Sequence, residues 1–124
     1  MTAPRVRDFR DLKAWQKAME LALLCDEGCQ SLPPSARYLA LQIRRAANSI
    51  HANIAEGNGR FTRPDYLRYL VIANGSLREL ESHLHFVARR FGTNSAIDRA
   101  LEHTFVTGKL LAGLTRSLRT PSGK

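Results

Sequence analysis

The chain has 124 residues and a mass of 13.9 kDa, which suits one compact domain and excludes large multidomain catalytic architectures. Hydrophobic residues make up 44% of the chain and charged residues 24%, so it can bury a core and is not a disordered tail. Lys and Arg number 19 against 11 Asp and Glu, a formal net charge of +8, and this excess favours nucleic acid first, or acidic protein surfaces, as partners.

Three groups of helix breakers divide the chain into helical segments: Pro33-Pro34, Gly57-Asn58-Gly59 and Gly92-Thr93-Asn94. Between them, apolar residues recur every three or four positions, which is the period of an amphipathic helix. The sequence predicts one domain of residues 1–124, with flexible ends at 1–8 and 120–124 and helices at about 12–31, 35–57, 63–91 and 95–118.

Several residues mark the predicted helix ends. Ser35 is a candidate N-cap for the second helix, and Gly57 is expected to end that helix. Thr62 and Asp65 have the spacing of a capping box at the start of the third helix, and Gly92 closes it. Because the connections are short, sequential helices should be antiparallel, and we predict an all-α, up-down-up-down antiparallel four-helix bundle.

The location predicted from the sequence is the cytoplasm, without a membrane partner. No apolar run approaches the roughly 18 residues of a membrane span, and the arginine-containing N-terminal stretch is not followed by an apolar signal region. Cys25 and Cys29 lie four residues apart within a predicted helix, where a disulfide is unfavourable. We expect both cysteines to be small core residues.

The sequence lacks the motifs of enzymes and metal sites that helical bundles commonly carry. It has no Glu-x-x-His pair for a di-iron centre, no Cys-x-x-Cys and no His-Glu-x-x-His. The Gly57-Asn58-Gly59-Arg60 run lacks the Gly-Lys-Ser/Thr ending of a phosphate loop. We therefore predict no enzymatic activity, no metal and no cofactor, although a catalytic group assembled from distant residues stays open at this point.

Arginines concentrate around the junction of the second and third helices. Between residues 37 and 68 there are six arginines against two acids, and guanidinium groups suit phosphate contacts. Phe61, in the connecting loop, could stack on an unpaired base, but packing against the end of the bundle is favoured. The residues predicted to contact nucleic acid are Arg44, Arg60, Arg63 and Arg68, followed by Arg37 and Arg78.

A second polar stripe on the same helix contains its own countercharge. Its residues recur at steps of four, four and three, so they share one helix face. An arginine satisfied by a carboxylate is less available to an external ligand, so this stripe favours a structural or intersubunit network. Glu79, one turn beyond the mid-helix Gly75, is a candidate partner for the arginine of this stripe. The residues assigned to this network are Arg45, Ser49, Asn53, Glu56 and Glu79.

Two long motifs carry a family resemblance: LQIRRAANSIHANIAEG at 41–57 and IANGSLREL at 72–80, supported by FRDL at 9–12. They resemble a bacterial four-helix-bundle family that includes proteins encoded in intervening sequences of large-subunit ribosomal RNA genes, and the accessory protein of diversity-generating retroelements is similar. The resemblance implies a ring-like homopentamer with a basic surface, nucleic-acid association and, in the retroelement branch, a reverse transcriptase partner. His51 and Asn74 depart from the family pattern, which usually has proline and a basic residue there.

The leading functional hypothesis is a non-enzymatic, oligomeric, basic bundle that binds RNA or an RNA/DNA hybrid mainly through phosphates. The alternative is a protein-interaction scaffold or adaptor, with a reverse transcriptase as a candidate partner and no direct role in binding nucleic acid. The arginine excess is compatible with both hypotheses, because guanidinium groups form ion pairs at protein interfaces as readily as they contact phosphates.

Overall fold

The computed structural model describes residues 8–119, which form four α-helices and no β-strand. The predicted all-α class is therefore confirmed. Short 3-10 turns precede the first and second helices, at Phe9–Asp11 and Pro34–Ala36. The helices are α1 (Lys13–Cys29), α2 (Arg37–Asn58), α3 (Arg63–Phe91) and α4 (Ser95–Arg119).

The helices pack as a bundle in which each contacts its neighbours in the chain and α1 contacts α4. The apolar stripes of all four helices meet along the bundle axis, where the largest side chains are almost fully buried. Among residues 8–119, every helix is too short or too polar to cross a lipid bilayer. The buried core includes Leu21, Ile43, Ile50, Tyr66, Leu80 and Ile97.

The ends of α3 use the signals expected from the sequence. The Thr62 hydroxyl accepts a hydrogen bond from the backbone N–H of Asp65 at 3.3 Å, which satisfies one of the unpaired donors of the first turn. At the other end, Gly92 adopts a φ of +85°, a conformation that glycine tolerates at no steric cost. Both ends are therefore fixed by local chemistry.

The start of α2 differs from the prediction. Ser35 lies inside the 3-10 turn Pro34–Ala36 and is not the N-cap; Ala36 occupies that position without a side-chain cap. The prolines set the backbone for this turn before the helix begins. Of the predicted flexible ends, residues 1–7 and 120–124 lie outside the described residues. Asp8 is described, and its carboxylate accepts a hydrogen bond from the backbone N–H of Arg10 at 2.9 Å.

The prediction that Gly57 ends α2 is wrong, because the helix continues through Gly57 to Asn58. Gly57 is buried where α2 meets α3. A Cβ atom at this position would lie 2.9 Å from Cβ of Tyr69 and 3.1 Å from Cδ1 of Tyr66. The glycine therefore permits close packing of α2 against α3.

Both cysteines are buried and free, as expected for small core residues. Burial raises the pKa of the Cys25 thiol to about 12, because a thiolate is poorly solvated away from water. Burial likewise raises the pKa of Cys29. Since the thiolate is the reactive form of cysteine, burial disfavours reactivity at both positions.

Candidate nucleic-acid interface

Arg44, predicted to contact phosphate, is paired across the seam between α1 and α2. Its Nε donates a hydrogen bond to Oδ1 of Asp26 at 2.8 Å, and this bond raises the pKa of Arg44. Asp26 lies near the C-terminal end of α1, where a carboxylate opposes the helix dipole and benefits from a nearby cation. The guanidinium is thus already engaged by a carboxylate of the same chain.

Arg60 is engaged in a similar way at the end of α2. Its guanidinium donates to Oε2 of Glu56 at 2.7 Å and to the hydroxyl of Tyr69, and it lies 4.7 Å from the centroid of the Tyr69 ring. The hydrogen bond to Glu56 raises the pKa of Arg60. Glu56, assigned from the sequence to a network with Arg45, therefore pairs with Arg60 instead.

Arg63 requires a correction, because it is only 9% exposed. It is the first residue of α3, between the N-cap residue Thr62 and Pro64. A guanidinium held in this position does not belong to the outer cationic surface. We therefore remove Arg63 from the residues proposed to contact phosphate.

The other predicted contacts remain accessible. Arg68 has a side chain that is 60% exposed and lies 3.6 Å from Asp65, a separation typical of a loose surface pair. Arg78 is 74% exposed and lies 3.5 Å from Glu81. Arg37 is exposed, and within residues 8–119 no carboxylate forms an ion pair with it.

The predicted polar network forms only in part. The amide of Asn53 donates to the backbone carbonyl of Ser49 at 2.7 Å and to its hydroxyl at 3.0 Å. The Ser49 hydroxyl lies 2.8 Å from that of Ser76 and so joins α2 to α3. Arg45 is exposed and does not reach Glu79, which instead contacts His83 at 3.3 Å. The expected Arg45–Glu79 pair is absent from the part of the chain that the structure describes.

Phe61 also differs from the favoured expectation, because it does not pack against the bundle end. Its side chain is 75% exposed in the loop between α2 and α3. The adjacent Arg60 points back onto Tyr69 and Glu56. Phe61 is therefore an exposed aromatic residue, and the neighbouring Arg60 is engaged elsewhere.

Sequence reasoning missed a basic groove between α3 and α4. The α3–α4 groove begins as a hollow of about 470 Å³ and continues into one of about 330 Å³. Both are lined by Asn74 and Arg78 of α3 and by Ala112 of α4. Beyond these shared residues, the larger hollow is also lined by Arg116 and Arg119. The smaller hollow is also lined by Phe105 and Lys109.

The groove contains more cations than carboxylates. Arg78, Lys109, Arg116 and Arg119 line its two hollows, and Glu81 is the one acid lining either of them. The signal was present in the sequence, since Lys109, Arg116 and Arg119 follow at steps of seven and three, which places them on one side of a helix. The sequence did not show that α3 places Arg78 opposite them.

Comparisons with known proteins agree with this architecture. A sequence model described as "23S rRNA-intervening sequence protein" matches residues 10–113. The fold is similar to a crystal structure from Bacteroides thetaiotaomicron VPI-5482, described as a protein of unknown function from the S23 ribosomal protein family. That structure has 24% sequence identity and a TM-score of 0.74, with 86% of this chain and 99% of that chain covered. Among curated proteins, none matches the chain.

Proposed function

The chain belongs to the 23S rRNA-intervening sequence protein family, and from that premise we propose that it is a non-enzymatic, oligomeric, basic bundle that binds nucleic acid. The proposed ligand is RNA or an RNA/DNA hybrid, held mainly through phosphates with little base specificity. Such binding derives from the release of counterions when cations neutralise phosphates. It requires cations that are exposed and not already neutralised by carboxylates of the protein.

The observation that carries this proposal is the set of exposed cations that remain after the internal ion pairs are formed. Within residues 8–119, these side chains are exposed and have no carboxylate within ion-pair distance. They occur on all four helices, so the cationic field surrounds the bundle. They are Lys13, Arg37, Arg89, Arg90, Arg99, Lys109 and Arg119; Arg45 is exposed as well but lies on the face proposed below for self-association.

We propose self-association, in the ring-like homopentamer implied by the family resemblance, through the outer face of α2 and α3. Ile72 is 43% exposed and shares a stripe of α3 with Ser76 and Glu79. On α2, the exposed Arg45 lies one turn from Ser49, which contacts Ser76. Ile72 thus lies on a face that also holds Arg45 and Glu79, two opposite charges that do not meet within one chain. A second copy could bury Ile72 and pair these charges across an interface.

Two measurements test this function. Size-exclusion chromatography with light scattering should give five times the chain mass of 13.9 kDa. Fluorescence anisotropy with a labelled RNA should show an affinity that falls linearly on a log–log plot as salt rises, because counterion release governs phosphate binding. An affinity that does not change between low and physiological salt would contradict the proposal.

A protein adaptor, with a reverse transcriptase as a candidate partner, is the second candidate. It is favoured by Tyr38 and Leu41, which are 63% and 53% exposed and lie about one turn apart on α2. Exposed aromatic and aliphatic side chains close together are typical of protein contacts. A protein that purifies at low salt without nucleic acid, and that does not bind labelled RNA, would favour this role.

A further inference from the structure

We propose that the α3–α4 groove is a binding site for single-stranded nucleic acid, in which cations hold the phosphates and the exposed ring of Phe105 stacks on a base. This inference rests on the proposed function and deepens it, because it names the form of the ligand and the place where it binds. It differs from the expectation that the junction of α2 and α3 is the principal contact surface.

The shape of the groove suits a flexible strand. Its two hollows, of about 470 and 330 Å³, share Asn74, Arg78 and Ala112 and are therefore continuous. A third hollow of about 540 Å³, lined by residues of α3 alone, adjoins the groove at Arg78 and extends to Arg89. From Val71 to Arg89, α3 rises by about 27 Å at 1.5 Å per residue, which is comparable with the smaller single-strand sites of about four nucleotides.

The charges along the groove are available to a ligand. Lys109 and Arg119 are exposed and form no ion pair within residues 8–119, and Arg89 continues the row at the far end. Arg78 is 74% exposed, and its contact with Glu81, at 3.5 Å, is long for a charge-assisted hydrogen bond. A phosphate can therefore approach these cations without first displacing a strong internal pair.

Exposed aromatic rings distinguish this groove from a surface that would bind phosphates through charge alone. Phe105 is 68% exposed in the second hollow, and Nζ of Lys109 lies 5.4 Å from the centroid of its ring. Phe86, 49% exposed, lines the third hollow. Exposed aromatics within a cationic groove are the combination that binds unstacked bases, while a duplex presents its phosphates and keeps its bases stacked.

The test compares the intact protein with three variants that alter exposed side chains. The groove variant is Arg78→Gln/Lys109→Gln/Arg119→Gln, and the matched control, with the same change in charge at exposed residues outside the groove, is Lys13→Gln/Arg90→Gln/Arg99→Gln. The stacking variant is Phe105→Ala. The probes are a labelled uridine oligomer of about 12 nucleotides, a length within the range of single-strand sites, and an RNA duplex of the same length.

If the inference is correct, the groove variant should bind the single strand at least tenfold more weakly, and the control should lose less than threefold. Phe105→Ala should weaken single-strand binding by about five- to one-hundredfold, the range expected for the loss of one stacked base. Its affinity for the duplex should remain unchanged. Circular dichroism and light scattering would show that each variant keeps its fold and assembly.

The outcomes separate this inference from the proposed function. Failure of the intact protein to bind either probe would overturn the proposed function, and this inference with it. Equal losses in the groove and control variants would overturn the groove alone, because binding would then follow total charge. Equal effects of Phe105→Ala on both probes, or no effect, would overturn the stacking role. A labelled oligoglutamate peptide is the third probe, and its binding in preference to the single strand would overturn the inference and assign the groove to an acidic protein segment.

Discussion

The contacts that α3 makes with α2 and with α4 differ in both packing and charge. We call the first contact the α2–α3 seam, where Gly57 lies against Tyr66 and Tyr69 and the hydroxyl of Ser49 meets that of Ser76. Small side chains bring the backbones close together here. On its other side, α3 faces the open α3–α4 groove, of about 470 Å³ in its larger hollow.

The two regions show that the density of arginine in a sequence does not determine the cationic surface. At the junction of α2 and α3, Arg60 is held by Glu56 and Arg63 is buried, while Arg68 stays accessible in a loose pair with Asp65. In the groove, Lys109 and Arg119 have no carboxylate within ion-pair distance in residues 8–119. The supply of nearby carboxylates therefore decides which cations can meet a ligand.

The largest expected effect on stability comes from comparing the loss of one aromatic side chain in the α2–α3 seam with the loss of one in the α3–α4 groove. Tyr66 is 1% exposed and its hydroxyl accepts a hydrogen bond from Asn58 at 3.2 Å. Tyr66→Ala should lower the free energy of unfolding by about 3–5 kcal/mol, because it leaves a cavity. Phe105→Ala, in the groove, should change it by less than about 0.5 kcal/mol. Urea unfolding at one protein concentration measures both, and similar losses would contradict the contrast.

Glycine substitutions should have opposite signs at two positions. Gly57→Ala places a Cβ 2.9 Å from Cβ of Tyr69, and we expect a net loss of about 1–2 kcal/mol from overpacking after the gain in helix propensity. Gly75→Ala meets nothing within 4 Å and should stabilise the isolated protomer by up to about 1 kcal/mol. Thermal unfolding of a dilute sample would compare them, and a stabilising Gly57→Ala would show that the seam is looser than described.

The pair of serine hydroxyls in the α2–α3 seam should contribute less to stability than the packing of Tyr66 or Gly57. Ser76→Ala removes the 2.8 Å contact with Ser49 and should cost about 0.5–1.5 kcal/mol, the net value of a partly buried hydrogen bond. Ser82→Ala, also on α3 but exposed in the third hollow, is the matched control and should have almost no effect. Equal changes in the urea midpoint would mean that the pair contributes nothing specific.

The smallest effect tests whether a carboxylate keeps an arginine from nucleic acid. Asp26→Asn removes the partner of Arg44 and should tighten RNA binding about two- to threefold and steepen the salt dependence by about one unit. Glu27→Gln is the control, because it makes the same change in charge at an exposed neighbouring position without an ion pair in residues 8–119. Identical affinities for the two variants would mean that only net charge matters.

Local chemistry explains why the helices were predictable. The three- and four-residue period of apolar side chains gave the four helices, and Thr62 and Gly92 act at the ends of α3 as expected. The pair of Arg60 with Glu56 was not predicted, because Arg60 lies just beyond the end of α2, outside the regular spacing of that helix. The error at Gly57 arose because a glycine near a helix end and a glycine at a helix contact have the same sequence signal.

The cationic surface depends on which helix faces are brought together, and a single sequence does not contain that information. The pair of Arg44 with Asp26 joins residues 18 apart on different helices. Lys109 and Arg119 become part of a groove only because α3 sets Arg78 opposite them. The residues around Phe61 do not determine whether its ring packs on the bundle end or meets solvent, and the structure leaves it 75% exposed.

The order of the helices has a consequence for how the protein folds. Three of the four helix contacts join elements that follow each other directly, and the contact of α1 with α4 is the one that spans the chain. Bundles dominated by such local contacts have low contact order and fold in microseconds to milliseconds. Most helix contacts of the chain can therefore form as soon as two consecutive helices are present, and only the contact of α1 with α4 has to wait for the whole bundle.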